Sequence, residues 1–213
     1  MALDADWAAG WMRAAAAAMA ENRQRLIDLD RDIGDADHGE NMDRGFSAVA
    51  EKLDADGTPA TPGAVLKLAA MTLMSKVGGA AGPLYGTAFL RASTAVGESA
   101  ELNPDGVVAL LTAARDGIVA RGKAEPDDKT MVDAWTPAVE AAQTAAGAQA
   151  TGAQVLAAAA NAAAAGLAGT EPLIARKGRA SYLGERSAGH LDPGAASTVL
   201  ILQAAARTAE ADA

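Results

Sequence analysis

Residues 141–150 read AAQTAAGAQA and residues 151–169 continue TGAQVLAAAANAAAAGLAG. Such runs resemble low-complexity sequence. Yet valine and leucine interrupt the alanines at helical intervals, and alanine is the best helix former, so the reading is packed helix. Val155 to Gly169 is the most apolar stretch of the chain, but Asn161 breaks it and Glu171-Pro172 follows it. It falls short of the ~20 strongly apolar residues that a membrane span needs. Working outward, alanine supplies 58 of 213 residues, more than half of a hydrophobic fraction of 50%, whereas aromatics make up 3%. Small side chains form a core only by close approach, which suits helices better than sheets. No run of alternating β-branched residues forces a strand.

The pattern predicts eight helices, over 5–28, 40–53, 62–76, 83–97, 104–122, 131–147, 151–169 and 194–211. Thr61-Pro62 and Asn103-Pro104 each place a cap residue before a proline at the first helical position. Short links favour an antiparallel up-and-down bundle, and no Ser/Pro/Gly linker divides the chain, so 1–213 is expected to be one domain. Residues 28–39 and 170–194 are too polar and glycine-rich to be helical throughout, and long loops of that kind tend to be functional.

Formal charge is −9, from 18 basic and 27 acidic residues, which disfavours nucleic acid and anionic lipid as partners. With no cysteine there are no disulfides, thiolate metal sites or cysteine nucleophiles. The N-terminus, MALDAD, lacks the basic and apolar regions of a secretory signal. The expectation is a cytoplasmic protein.

Chemistry concentrates in a few places. Residues 30–46 read DRDIGDADHGENMDRGF, and with Asp28 this gives five aspartates in the ten residues 28–37. Clustered carboxylates repel unless a cation neutralises them, and an all-oxygen donor set points to a hard ion such as magnesium. An EF-hand fails on spacing, since Ile33 falls where its glycine and Gly39 where its glutamate should be. A solvated acidic turn capping a helix fits the aspartates equally well. His38 and Asn41 follow on the first turn of a helix, whose free N–H groups suit an anion. Residues 78–82, GGAAG, have almost no side chain and let backbone amides approach a ligand, or simply form a helix cap and tight turn. Gly117 to Lys123 reads GIVARGK but lacks both the Ser/Thr and the preceding strand of a phosphate loop. Residues 177–197, KGRASYLGERSAGHLDPGAAS, gather Lys177, Arg179 and Arg186 beside Arg176, positive charge suited to phosphate oxygens or to water.

Together, IGDADHGENMDRGF at 33–46, GGAAGPLYGT at 78–87, DDKTMVDAW at 127–135 and GRASYLGERSAGHLDPGA at 178–195 resemble the nucleotide-binding L subunit, or L domain, of the dihydroxyacetone (glycerone) kinases. The resemblance spans nearly the whole chain in the family's order. It implies an all-α fold, an eight-helix antiparallel barrel with a nucleotide pocket in the loops at one end. It places two magnesium ions on Asp30, Asp35 and Asp37, and contacts to ADP or ATP on His38, Asn41, Gly78, Gly79, Ala80 and Ala81. Further contacts map to Gly122, Thr130, Met131, Arg179, Asp192, Pro193 and Gly194. Ala81 stands where relatives commonly have serine, so one hydroxyl contact is missing there.

Phosphoryl transfer needs in-line positioning and charge neutralisation, which two magnesium ions and Arg179, as catalytic residue, can supply. The resemblance implies that a separate K subunit binds dihydroxyacetone through a histidine and receives the phosphoryl group across an interface at the pocket rim. It also implies, for part of the family, recharging of bound ADP by a phosphohistidine carrier. The rival readings are the related domain of fatty-acid kinases, a non-catalytic nucleotide-bound regulator of a partner protein, and a dimetal hydrolase.

Overall fold

Helix α1 (Ala5–Glu21) begins where the Asp4 carboxylate accepts the N–H groups of Asp6 and Trp7, and it buries Trp7, Trp11, Met12 and Met19 along one face. In the computed structural model, which describes residues 2–211, eight further α-helices follow. They are α2 (Arg23–Ile33), α3 (His38–Asp56), α4 (Pro62–Lys76), α5 (Ala81–Val96), α6 (Pro104–Gly122), α7 (Val132–Gly147), α8 (Gly152–Gly169) and α9 (Pro193–Glu210). A 3-10 segment, Arg179–Ser187, lies between α8 and α9. The all-α expectation holds. Among the described residues, the one departure toward sheet is a two-residue antiparallel pair, β1 (Leu3–Asp4) with β2 (Glu101–Leu102), which ties the start of α1 to the α5–α6 link.

Two expectations about element bounds are corrected. The helix expected over 5–28 is two helices, divided at Asn22, whose backbone leaves helical geometry (φ −96°, ψ 8°). The second runs on through Asp28 to Ile33 because Leu26, Ile27, Asp30 and Ile33 form a buried face at helical spacing, hidden in the sequence by the charged residues on the other side. The stretch 170–194, expected as loop, holds the 3-10 segment, since Ala180 and Leu183 pack with Ile33 and Ala175 in a small satellite core.

Each helix packs on the next: α3 on α4, α4 on α5, and so on to α8 on α9. Helix α1 packs on both α3 and α9, so the sequence of neighbours closes into a ring of eight, with α2 lying against α3 and α9. Aromatic rings fill the centre. Trp7 and Trp11 stack at 5.4 Å, Trp11 meets Phe89 at 5.7 Å, and Phe89 meets Phe46 at 6.3 Å. The Trp11 indole donates to the Ile201 carbonyl at 2.8 Å, fastening α1 to α9.

Around this centre, small residues let helices touch. Helix α8 is long and apolar enough, by length and composition, to cross a membrane, but here Val155, Leu156, Ala159, Ala163 and Leu167 are buried in the common core. A Cβ on Gly166 would sit 2.2 Å from the Asp133 carbonyl oxygen, so α8 can lie this close to α7 only because Gly166 has no side chain. Gly166→Ala is therefore expected to lower stability by roughly 1–3 kcal/mol through overpacking against backbone. Gly169→Ala, where an added Cβ meets nothing within 4 Å, should be neutral or stabilising. Denaturant unfolding of the two variants checks the contrast.

Candidate functional site

The starts of α3, α5, α7 and α9 open on one cavity of about 550 Å³. Its lining includes the residues that the resemblance assigned to metal and nucleotide, Asp30, Asp35, Asp37, His38, Asn41, Gly78, Gly79, Ala80, Ala81, Gly122, Thr130, Met131, Arg179, Asp192, Pro193 and Gly194, whereas Asp28, Gly82, Arg176 and Arg186 lie outside it. Segments nearly 165 residues apart in sequence thus meet, and helix N-termini supply both free N–H groups and positive dipole ends for an anion.

Asp30 projects from the last turn of α2, and its Oδ2 accepts the N–H groups of Asp37 (2.9 Å) and His38 (3.1 Å). This bond pair caps α3 and folds the turn 34–37 back over α2. Consequently one carboxylate oxygen from each of Asp30, Asp35 and Asp37 lies within 4.8 Å of the others. Three clustered carboxylates form a donor set that fits a hard divalent cation. Across from them, Arg179 at the head of the 3-10 segment pairs with Asp35 at 2.9 Å while its guanidinium stays largely exposed.

One wall of the cavity is backbone. Neither Ala80 nor Ala81 offers a side-chain oxygen, so the first N–H groups of α5 have no cap. Gly79 takes φ +62°, a left-handed turn that glycine adopts without strain. Beside it, Arg44 donates from Nε to the Lys76 carbonyl (2.9 Å) and from its terminal nitrogen to Asn41 Oδ1. That fixes the Asn41 amide with Nδ2 as its remaining donor. His38 is buried, with Nε2 2.9 Å from Ser197 Oγ. Burial holds its pKa below the ordinary histidine value, against the opposing pull of Asp30 and Asp37, so the ring is neutral near pH 7. Ser197 continues to the Tyr85 hydroxyl (2.8 Å), which also meets Thr198 Oγ1 and the Gly194 carbonyl.

Sequence reasoning assigned nothing to Arg44, Tyr85, Ser197 or Lys129. Lys129 is 1% exposed, and its ammonium donates to the carbonyls of Thr170 (2.8 Å), Leu173 (3.1 Å), Glu171 (3.3 Å) and His190. It clasps both ends of the basic loop to the turn before α7. A lysine in a polar turn reads as solvated, and nothing local marks it as buried; its left-handed backbone (φ 60°) shows only in the fold. Asp192 caps α9 by accepting the Ala195 N–H at 2.7 Å. Burial raises its pKa to about 7.

Comparison with known proteins points to one family. The family model for the DAK2 domain matches residues 32–207. The ADP-binding subunit DhaL of a PEP-dependent dihydroxyacetone kinase from Listeria innocua is 45% identical over 208 residues, covering 98% of both chains. The corresponding subunit from Escherichia coli is 43% identical, covering 99% of this chain and all of that one. In fold, the crystal structure of the dihydroxyacetone kinase of C. freundii in complex with AMP-PNP and Mg2+ aligns with a TM-score of 0.73 at 24% identity, over 97% of this chain. This chain spans only 34% of that larger kinase.

The raised value for Asp192 has a testable consequence. Between pH about 4 and 7 the folded chain keeps a proton that the unfolded chain, with an ordinary value of 3.8, has released. The resulting stabilisation is complete below pH 4 and is lost as pH rises through 7. Asp192→Asn keeps an accepting oxygen for Ala195 but cannot ionise. From pH 4 to pH 8 the difference in unfolding free energy should move in the variant's favour by roughly 4 kcal/mol, as measured by denaturant titration without nucleotide. With its motifs gathered on one cavity and its sequence matched over nearly its full length, the chain belongs to the DAK2-domain family.

Proposed function

We propose that this chain is the ADP-binding subunit of a dihydroxyacetone-type kinase. In this reading it holds Mg-ADP or Mg-ATP in the cavity and passes the terminal phosphoryl group to dihydroxyacetone, or a related small ketose or triose, bound on a separate K-type subunit. The observation that carries the reading is the facing of three carboxylates, uncapped helix N–H groups and Arg179 across one cavity. Residues 1–213 act as one cytoplasmic unit with an antiparallel helical barrel, and a phosphohistidine carrier recharges bound ADP. The relatives' description as PEP-dependent favours that last part.

Asp30, Asp35 and Asp37 are the residues that would hold two magnesium ions, which when bound neutralise phosphate charge and polarise the transferring group. The chain's own groups do the positioning. Backbone N–H groups at Gly78–Ala81, with the Asn41 amide fixed by Arg44, cradle phosphate oxygens. Gly122, Thr130, Met131, Asp192, Pro193 and Gly194 form the remaining walls, and neutral His38 is held on Ser197. Arg179 is exposed enough to exchange Asp35 for a phosphate oxygen, where its positive charge stabilises the charge that spreads in the transition state. The absent hydroxyl at Ala81 leaves this cradle to backbone alone.

Magnesium and ADP together should raise the melting midpoint of the chain, since they bind the folded state and relieve carboxylate repulsion. Asp35→Asn, which keeps size but removes a charge, should abolish that rise while leaving the helical circular dichroism unchanged. An unaltered midpoint for the parent chain at saturating Mg-ADP would refute the site.

A further inference from the structure

Seven aromatic residues occur in the sequence, and six are packed: Trp7, Trp11, Phe46, Tyr85, Phe89 and Trp135 are each at most 2% exposed. The seventh, Tyr182, is 88% exposed. An open ring contributes nothing to the core, and a chain this poor in aromatics places every other one inside.

The mount under Tyr182 is rigid. On either side of it, Ala180 is buried and Leu183 packs with it against Ile33 and Ala175. Ser181 Oγ donates to the Gly178 carbonyl at 2.7 Å. Ser187 Oγ donates to the Gly184 carbonyl at 2.6 Å and accepts the Ala175 N–H at 2.8 Å. The ring is thus presented outward by a segment fastened at both ends, which lowers the entropy lost when a partner covers it. Ile174, next to the buried Ala175, is also exposed, at 45%. Arg176, Lys177 and Arg186 are exposed nearby, and none forms an ion pair among the described residues. Tyrosine and arginine set around an apolar anchor are the composition of an interface hot spot.

Position selects the occupant. Lys177, Gly178, Arg179 and Ala180 line the nucleotide cavity, so the Tyr182 patch is continuous with its mouth. A protein seated on the patch closes that mouth, and the phosphoryl acceptor must arrive there. Resting on the kinase reading above, we infer that Tyr182 is the anchor of the docking surface for the substrate-carrying subunit. The partner's matching face is apolar opposite Tyr182 and Ile174 and acidic opposite Arg176, Lys177 and Arg186.

The test uses the full chain and a K-type subunit with which the parent supports transfer from Mg-ATP to dihydroxyacetone. For Tyr182→Ala, the concentration of K-type subunit giving half the maximal rate should rise tenfold or more. The maximal rate and the Mg-ADP melting shift should stay those of the parent. Tyr182→Phe, which keeps the ring, should restore half-saturation to near the parent value. Half-saturation of Tyr182→Ala within twofold of the parent overturns the proposal. So does loss of the Mg-ADP shift in that variant, which would assign the ring to the nucleotide. If no K-type subunit supports transfer by the parent chain, the kinase reading itself falls and this surface with it, an outcome distinct because it needs no variant.

Discussion

The site depends on one carboxylate. Asp30 is buried at the end of α2, and its Oδ2 holds the N–H groups of Asp37 and His38. Those two bonds compensate for burying a charged group and satisfy donors at the start of α3 that have no helical partner. They also oblige the intervening turn to double back, bringing Asp35 and Asp37 toward Asp30 and orienting His38 inward. Without this cap the acidic run would be a solvated turn. The same group thus shapes the fold and belongs to the carboxylate cluster of the proposed metal site.

The wall opposite is held by a second buried charge. Lys129 has four carbonyl partners drawn from residues 170–173 and 190, so a loop of about twenty residues is pinned at both ends to the turn that starts α7. A buried ammonium with hydrogen-bond partners is tolerable, whereas removal of those partners would leave it strongly unfavourable. Arg179 stands on that pinned loop and Asp35 on the Asp30-capped turn, and their ion pair spans the gap between the two. Cation clasp and anion cap together set the two sides of the cavity.

Much of this was legible beforehand. Helices 62–76 and 104–122 have the expected bounds because Thr61-Pro62 and Asn103-Pro104 combine a capping oxygen with a proline preorganised for the first turn. The aspartates, the glycine turn and the basic loop carry their chemistry in their composition, and the fold gathers them on one cavity. What escaped depends on long-range packing. The buried face of α2 includes Asp30, so its periodicity looks polar, and the 3-10 segment forms only because Ile33 offers Ala180 and Leu183 a surface. The burial of Lys129 and the exposure of Tyr182 run opposite to their residue types, and only tertiary structure could reveal either.

In the proposed reading the chain provides one half of a composite site, with nucleotide and metal on its own residues and the acceptor on another subunit. The most direct measurement follows phosphoryl transfer from radiolabelled Mg-ATP to dihydroxyacetone by the purified chain, first alone and then with a K-type subunit. The account predicts no sugar phosphate from the chain alone and rapid formation once the subunit is added. Robust turnover by the chain alone would contradict it.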